Sequence, residues 1–255
     1  MEDITSCVVD IPDDEWAAEI KVVLNTSEAV LKYLPTSFDW RQKGAITPVR
    51  DEGDCGCCYA FAVTAAIESA VFIFNKSSNP VLAQLSPQML IDCDYLNYNR
   101  GCSGGGDVRR AFQYAAKGAG LLREVDYPYK ATVEPCLPDG GYSQPIDGYA
   151  VLHSYEDSIS VAVTRQPVVV TVHVGRDFRA YQGGIFKGPC GQISRALLLI
   201  GFGETDEGEK YWILKNSWGE NWGEQGYVRM LRDFSKYGLC DVHRRVIYPI
   251  PLLTA

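Results

Sequence analysis

The longest apolar pattern in the chain runs from Cys58 to Asn75. There Tyr59, Ala60, Phe61, Ala62, Ala65, Ala66, Ile67, Ala70, Val71 and Phe72 leave almost no polar face. A run that is apolar nearly all round reads as a buried helix, and Gly53 and Gly56 just before it favour a loop rather than an earlier start. Ser86-Pro87 supplies an N-cap followed by proline at the first helical position. Val108–Lys117 predicts a third helix, stopped by Gly118, and a weaker amphipathic pattern over Asp13–Val23 predicts a short one. After about residue 145 the pattern changes. Val168–Val172, Leu197–Ile200, Tyr211–Leu214 and Tyr227–Met230 are short apolar or β-branched runs separated by glycine and polar residues, as strands are. Helices in front and strands behind argue for an α+β protein with two lobes.

With 46% hydrophobic and 22% charged residues, the 255-residue chain has the composition of a folded protein, long enough for one large domain or two packed halves. Its net charge of -8, without a dense run of lysine or arginine, predicts no nucleic-acid partner. No stretch has the apolar length of a membrane span, so no membrane partner is expected. Nine cysteines point to an oxidising compartment. Asn25-Thr26-Ser27 and Asn75-Lys76-Ser77 are sequons that fit this, making Asn25 and Asn75 candidate glycosylation sites. Met1-Glu2-Asp3 is acidic and no apolar core follows it, so no secretory leader opens the chain; the cysteines favour a leader already removed.

Several short motifs follow one another in a telling order. Glu52-Gly53-Asp54-Cys55-Gly56-Cys57-Cys58-Tyr59-Ala60-Phe61 comes first, then Cys102-Ser103-Gly104-Gly105, Tyr127-Pro128-Tyr129 and Gly188-Pro189-Cys190-Gly191. Lys215-Asn216-Ser217-Trp218-Gly219, Trp222-Gly223-Glu224 and Gly238-Leu239-Cys240 complete the series. In motif and in order, residues 34–250 resemble the papain family of cysteine peptidases, in its plant-type, cathepsin L-like branch. The resemblance implies a two-lobe fold, a helical lobe over about 45–140 and an antiparallel β-barrel-like lobe over about 141–250, with a cleft between. It makes 34–252 the papain-like domain and 1–33 a lead-in that shows little of the long charged helix of the family's inhibitory propeptide. It implies no cofactor and no metal.

The roles carry over residue by residue. Cys58 matches the nucleophile, Asn216 the residue that orients the catalytic histidine, and Trp218 the aromatic shield beside it. The histidine position itself holds Arg195, preceded by Ser194; the oxyanion glutamine is Glu52; the tryptophan after the nucleophile is Tyr59. A thiol at a helix N-terminus ionises readily, but arginine neither accepts nor returns a proton at working pH. Glu52 as a carboxylate repels a developing oxyanion. Substitutions of opposite charge at two positions flanking the thiol predict an ion pair between Glu52 and Arg195. His153, His173 and His243 all lie outside the motif; His173, on a strand run, is the one that approaches the cleft if any does, and a structural role is the plainer reading. For Cys58 three states stay open: a reactive thiol, an inert buried one, or an oxidised one.

The resemblance also pairs Cys55 with Cys102, Cys93 with Cys136 and Cys190 with Cys240, and leaves Cys7, Cys57 and Cys58 free. A bound peptide is expected against Gly104 and Gly105, with Gly106, Asp107, Thr171, Ile193, Ala196 and Arg245 around the adjoining specificity pocket and Ser194 and Trp218 as further substrate-binding residues. Such a pocket carries both charge signs unless Asp107 and Arg245 turn to solvent, and suits a small polar ligand better than a bulky apolar one. Three functions compete: a proteolytically inactive or strongly impaired homologue that binds a peptide or small polar ligand, an enzyme of another class using Cys58, Glu52 or Arg195 on a small molecule, and a residual endopeptidase. The resemblance implies residence in the secretory pathway, in a vacuole or lysosome or outside the cell.

Overall fold

The computed structural model describes residues 6–9, 11–19, 21–22, 24–75, 80–94, 99–117, 120–137, 143–232 and 235–252. The helices are α1 (Asp13–Ala18), α2 (Glu28–Lys32), α3 (Cys58–Phe74), α4 (Pro87–Cys93), α5 (Val108–Ala116), α6 (Glu156–Arg165) and α7 (Arg176–Arg179). The strands are β1 (Lys21–Val22), β2 (Phe38–Asp39), β3 (Leu121–Leu122), β4 (Ser143–Gln144), β5 (Ile146–Leu152), β6 (Val168–Val174), β7 (Ile185–Phe186), β8 (Ile193–Glu204), β9 (Lys210–Lys215), β10 (Tyr227–Leu231) and β11 (Val246–Pro251).

The main sheet runs β1-β5-β11-β6-β8-β9-β10-β7, with β2 added to β8. Its centre is antiparallel, and the β1–β5 and β7–β10 pairs at its ends are parallel. The buried helix α3 packs against β8 and β11 on one side and α4 and α5 on the other. That double covering is what a helix without a polar face requires; all of residues 58–70 are buried. Ser86 Oγ accepts the Met89 N–H at 3.1 Å and starts α4, as its sequence predicts. Asp107 caps α5 in the same way, taking the Arg109 N–H at 2.8 Å.

β8 separates two cores. Ala196, Leu198 and Ile200 face the core around α3, while Leu197 and Leu199 face the one built on α6, β6 and β9. A register shift between Leu199 and Gly201 then reverses the parity, and Phe202 joins the second core. Gly201 and Gly203, beyond the apolar run Leu197–Ile200, lie inside the 12-residue strand. They are there because neighbours press on the backbone: a Cβ on Gly201 would meet the Phe38 carbonyl oxygen at 2.1 Å.

The helix expected over Asp13–Val23 ends at Ala18. Glu19 is extended, and Lys21 and Val22 pair with Val151 and Leu152 of β5. Ladder partners supplied by the fold override a weak helical pattern. Val23, Gly118 and the Lys76-Ser77 part of the second sequon lie outside the described residues; Asn25 and Asn75 are both exposed.

Because β2 and β8 leave no room above Gly201, Gly201→Ala is expected to destabilise the protein by about 1–3 kcal/mol. Urea unfolding of the two chains measures the difference.

Candidate active site: a capped thiol and a buried arginine

Cys58 is the first residue of α3, with Cys57 at the N-cap, so its sulfur stands at the end of a 17-residue helix. It accepts the backbone N–H of Ala196 at 3.1 Å. It is not a free thiol: Cys58 is disulfide-bonded to Cys7, with their Cα atoms 5.5 Å apart. The expectation that Cys7 and Cys58 are free is thereby corrected. The pairing was hidden because Cys7 lies outside the stretch that carries the motifs. Only the path of the lead-in through the fold brings the sulfurs together. The other three bridges join Cys55 to Cys102, Cys93 to Cys136 and Cys190 to Cys240. Among the described residues Cys57 is the one free cysteine. It is buried and contacts the Tyr129 hydroxyl at 3.3 Å, and burial, with Glu52 nearby, pushes its thiol well above the usual range.

Arg195 enters from β8, on the face opposite Ser194 and Ala196. Its guanidinium is held on every side. Nε donates to Asn216 Oδ1 at 3.0 Å, Nη2 donates to Ser217 Oγ at 3.1 Å and to the Glu52 carboxylate, and Nη1 points to Cys7 Sγ at 3.6 Å. Its carbon lies 3.9 Å from the centre of the Trp218 ring, a cation–π contact. Arg195 and Glu52 are each only 2% exposed. Backbone pairing presents the carboxylate: Glu52 N–H donates to the Ser217 carbonyl at 2.9 Å, and Asp51 bridges to Trp218. Burial pushes the Glu52 carboxyl upward, opposed by the Arg195 charge and by the Trp218 indole. The predicted ion pair is therefore present, beside the Cys7–Cys58 disulfide.

The cleft is occupied by the chain itself. Cys7 N–H donates to the Ser194 carbonyl at 3.2 Å, Gly106 N–H to the Cys7 carbonyl at 3.3 Å, and Val9 N–H to the Gly106 carbonyl at 3.2 Å. Val8 and Gly106 form a parallel bridge. Residues Cys7–Val9 of the chain itself thus lie against Gly105 and Gly106. A Cβ on Gly105 would meet Cys7 at 2.5 Å, whereas Gly104 is exposed beside Arg100. The Tyr59 ring fills the space over Gly106, where a Cβ would meet it at 2.7 Å.

Asp107 and Arg245 do not turn to solvent; each is 7% exposed. Nor do they offer free charges to a ligand. Asp107 takes Arg109, whose Nη2 lies 2.8 Å from its carboxylate. Arg245 donates to the Ile11 carbonyl and lies 3.8 Å from Asp13. Thr171 and Ala196 are cross-strand partners and both are buried; Ile193 is half-buried.

None of the histidines is in contact with Cys58 among the described residues. His173 faces away from Arg195, which pairs in register with Val172, and its Nδ1 is 3.1 Å from Asp241. His243 accepts the Trp212 indole N–H at 2.9 Å, and His153 stacks on Tyr155. Sequence reasoning passed over Ser217, inside the Lys-Asn-Ser-Trp-Gly run, and Arg109, two residues after Asp107. It also passed over Lys215, which is 7% exposed and donates to Thr47 O at 2.7 Å.

Breaking a buried ion pair from one side strands the other charge. Glu52→Gln is expected to cost about 3–5 kcal/mol, and Glu52→Leu with Arg195→Met much less; denaturant unfolding of the three chains decides. Burial lowers the Lys215 ammonium to about 8, against 10.5 for an ordinary lysine, with Glu68 opposing and Arg50 adding. Between those pH values the unfolded chain binds the extra proton, so this group makes stability rise with pH there and fall as pH drops toward 8. Lys215→Met is expected to remove that rise, about 3 kcal/mol, between pH 7 and pH 10.

Among the described residues no helix is long and apolar enough to cross a membrane. A profile described as "Papain family cysteine protease" matches residues 34–250. Germination-specific cysteine protease 1 of Arabidopsis thaliana is 43% identical over 226 residues, 86% of this chain and 58% of that protein. Vignain of Ricinus communis is 40% identical over 223 residues, 85% of this chain and 60% of vignain. The chain thus spans about six-tenths of the length of the curated relatives it matches. Among solved structures, recombinant stem bromelain precursor aligns with a TM-score of 0.83 at 38% identity, over 94% of this chain and 80% of that one. A bromelain protease from Ananas comosus aligns at 0.78 and 40%, over 86% and 100%. The profile over residues 34–250, relatives 40–43% identical and the shared fold show that the chain belongs to the papain family of cysteine proteases.

Proposed function

We propose that this chain is a papain-family homologue in which peptide hydrolysis is silenced or strongly impaired, and that its cleft serves to bind a peptide or small polar ligand. The observation that carries this reading is the seating of Arg195. Its Nε donates to Asn216, the residue that matches the family's histidine-orienting asparagine, while Glu52 holds its far end. A guanidinium there keeps its proton, so a leaving amine has no donor. Glu52 adds negative charge where an oxyanion would form. The disulfide on Cys58 removes the nucleophile for as long as it is intact. Each step of amide acyl transfer is therefore missing one group.

The names of the relatives favour the competing reading, a residual cysteine peptidase. Four disulfides favour maturation along an oxidising secretory route, ending in a vacuole or lysosome or outside the cell. Glycans on the exposed Asn25 and Asn75 fit the same route.

A fluorogenic peptide panel, assayed with reductant present, separates the readings. The parent chain is expected to turn over none of the panel at a rate above background. Combining Arg195→His, Glu52→Gln and Cys7→Ser is expected to raise hydrolysis by about 100-fold or more, the scale of general acid–base help. Fast turnover by the reduced parent chain overturns the proposal.

A further inference from the structure

We propose that residues 6–9 and 11–19 form a reducible plug: the Cys7–Cys58 bond pins a self-ligand in the cleft, and its reduction opens a thiol site that takes small electrophiles or a mixed disulfide. This does not rest on the loss of peptidase activity; it holds whether or not the opened cleft cuts peptides.

Two kinds of force hold the plug. The first is covalent, between sulfurs that are both 0% exposed. The second is a strap of charge. Arg244 pairs with Asp13 at 2.6 Å, and Arg109 pairs with Glu19 at 3.0 Å and Glu15 at 3.5 Å. Asp13 and Glu15 are 69% and 58% exposed, so salt screens their pairs. The buried Arg195 contact to Cys7 is not screened in this way.

The chemistry has a direction. A thiolate of an added dithiol attacks Cys7 Sγ, and the Cys58 sulfur departs with the electron pair of the broken bond. Cys58 is the better leaving group because it stands at the N-terminus of α3 and accepts the Ala196 N–H, both of which stabilise a thiolate. The second thiol of the reductant then displaces Cys7. Two electrons pass to the protein, and the reductant ends as a cyclic disulfide. Because neither sulfur is exposed, attack requires the strap to lift first. Cys57, buried and held protonated beside Tyr129, stays out of the exchange and serves as an internal control.

The test uses the full chain, dithiothreitol and N-ethylmaleimide, read by peptide mass spectrometry. Without reductant, Cys7 and Cys58 are expected to remain unlabelled and to appear as one linked peptide pair. After reduction both label, with Cys58 about tenfold faster than Cys57. Asp13→Asn with Glu15→Gln, or added salt, is expected to speed reduction several-fold while leaving the other three bridges intact. Cys7→Ser is expected to make Cys58 reactive without reductant. The proposal is overturned if untreated protein already labels at Cys58, or if Cys58 stays unreactive once its bond to Cys7 is broken. It is also overturned if weakening the strap leaves the reduction rate unchanged.

Discussion

A guanidinium keeps its charge under any condition in which this protein is folded, and a charge that reaches the interior must find its counter-charge there. Arg195 is such a group, and much of the cleft is arranged around it. Glu52 supplies the opposite charge, Asn216 and Ser217 each accept one N–H, and Trp218 covers the face. The partners come from two pieces of chain besides β8. The loop before α3, the strand β8 and the Asn216–Trp218 segment have to meet at one point for any of them to be satisfied. A pair of this kind adds little net stability over an apolar replacement, yet removing one half of it is costly.

The scaffold delivers those pieces by simple means. α3 has no polar face and so is covered by sheet on one side and helices on the other, which aims its N-terminus at the cleft. β8 alternates between two cores, so adjacent residues serve different environments. Ala196 offers a backbone N–H to sulfur while Arg195 turns its side chain to the aromatic side.

The lead-in segment changes the meaning of the thiol. A sulfur at the start of a helix is poised to ionise, but here it is bonded to Cys7, and the backbone around Cys7 fills the groove along Gly105 and Gly106. On the proposed reading the same helix terminus that would activate a nucleophile makes Cys58 a ready leaving group when the bridge is reduced.

Much of this is written locally in the chain. The apolar run of α3, the Ser86 cap of α4 and the strand runs follow from short-range pattern, three of the four bridges come from the family resemblance, and the charges of Arg195 and Glu52 are legible in the residues themselves. Their opposite charges even foretell the ion pair, because a buried cation demands an anion nearby. What the pattern did not disclose are matters of long-range position. The capture of Cys7 by Cys58, the helix at Asp13 yielding to strand at Lys21 and the glycines inside β8 all depend on which backbone arrives alongside. Hydrophobic period and residue chemistry act over a few neighbours and are therefore present in the sequence. The partner of Cys7, which lies outside the motif-bearing stretch, is decided only when the packed lobes fix the path of the lead-in segment.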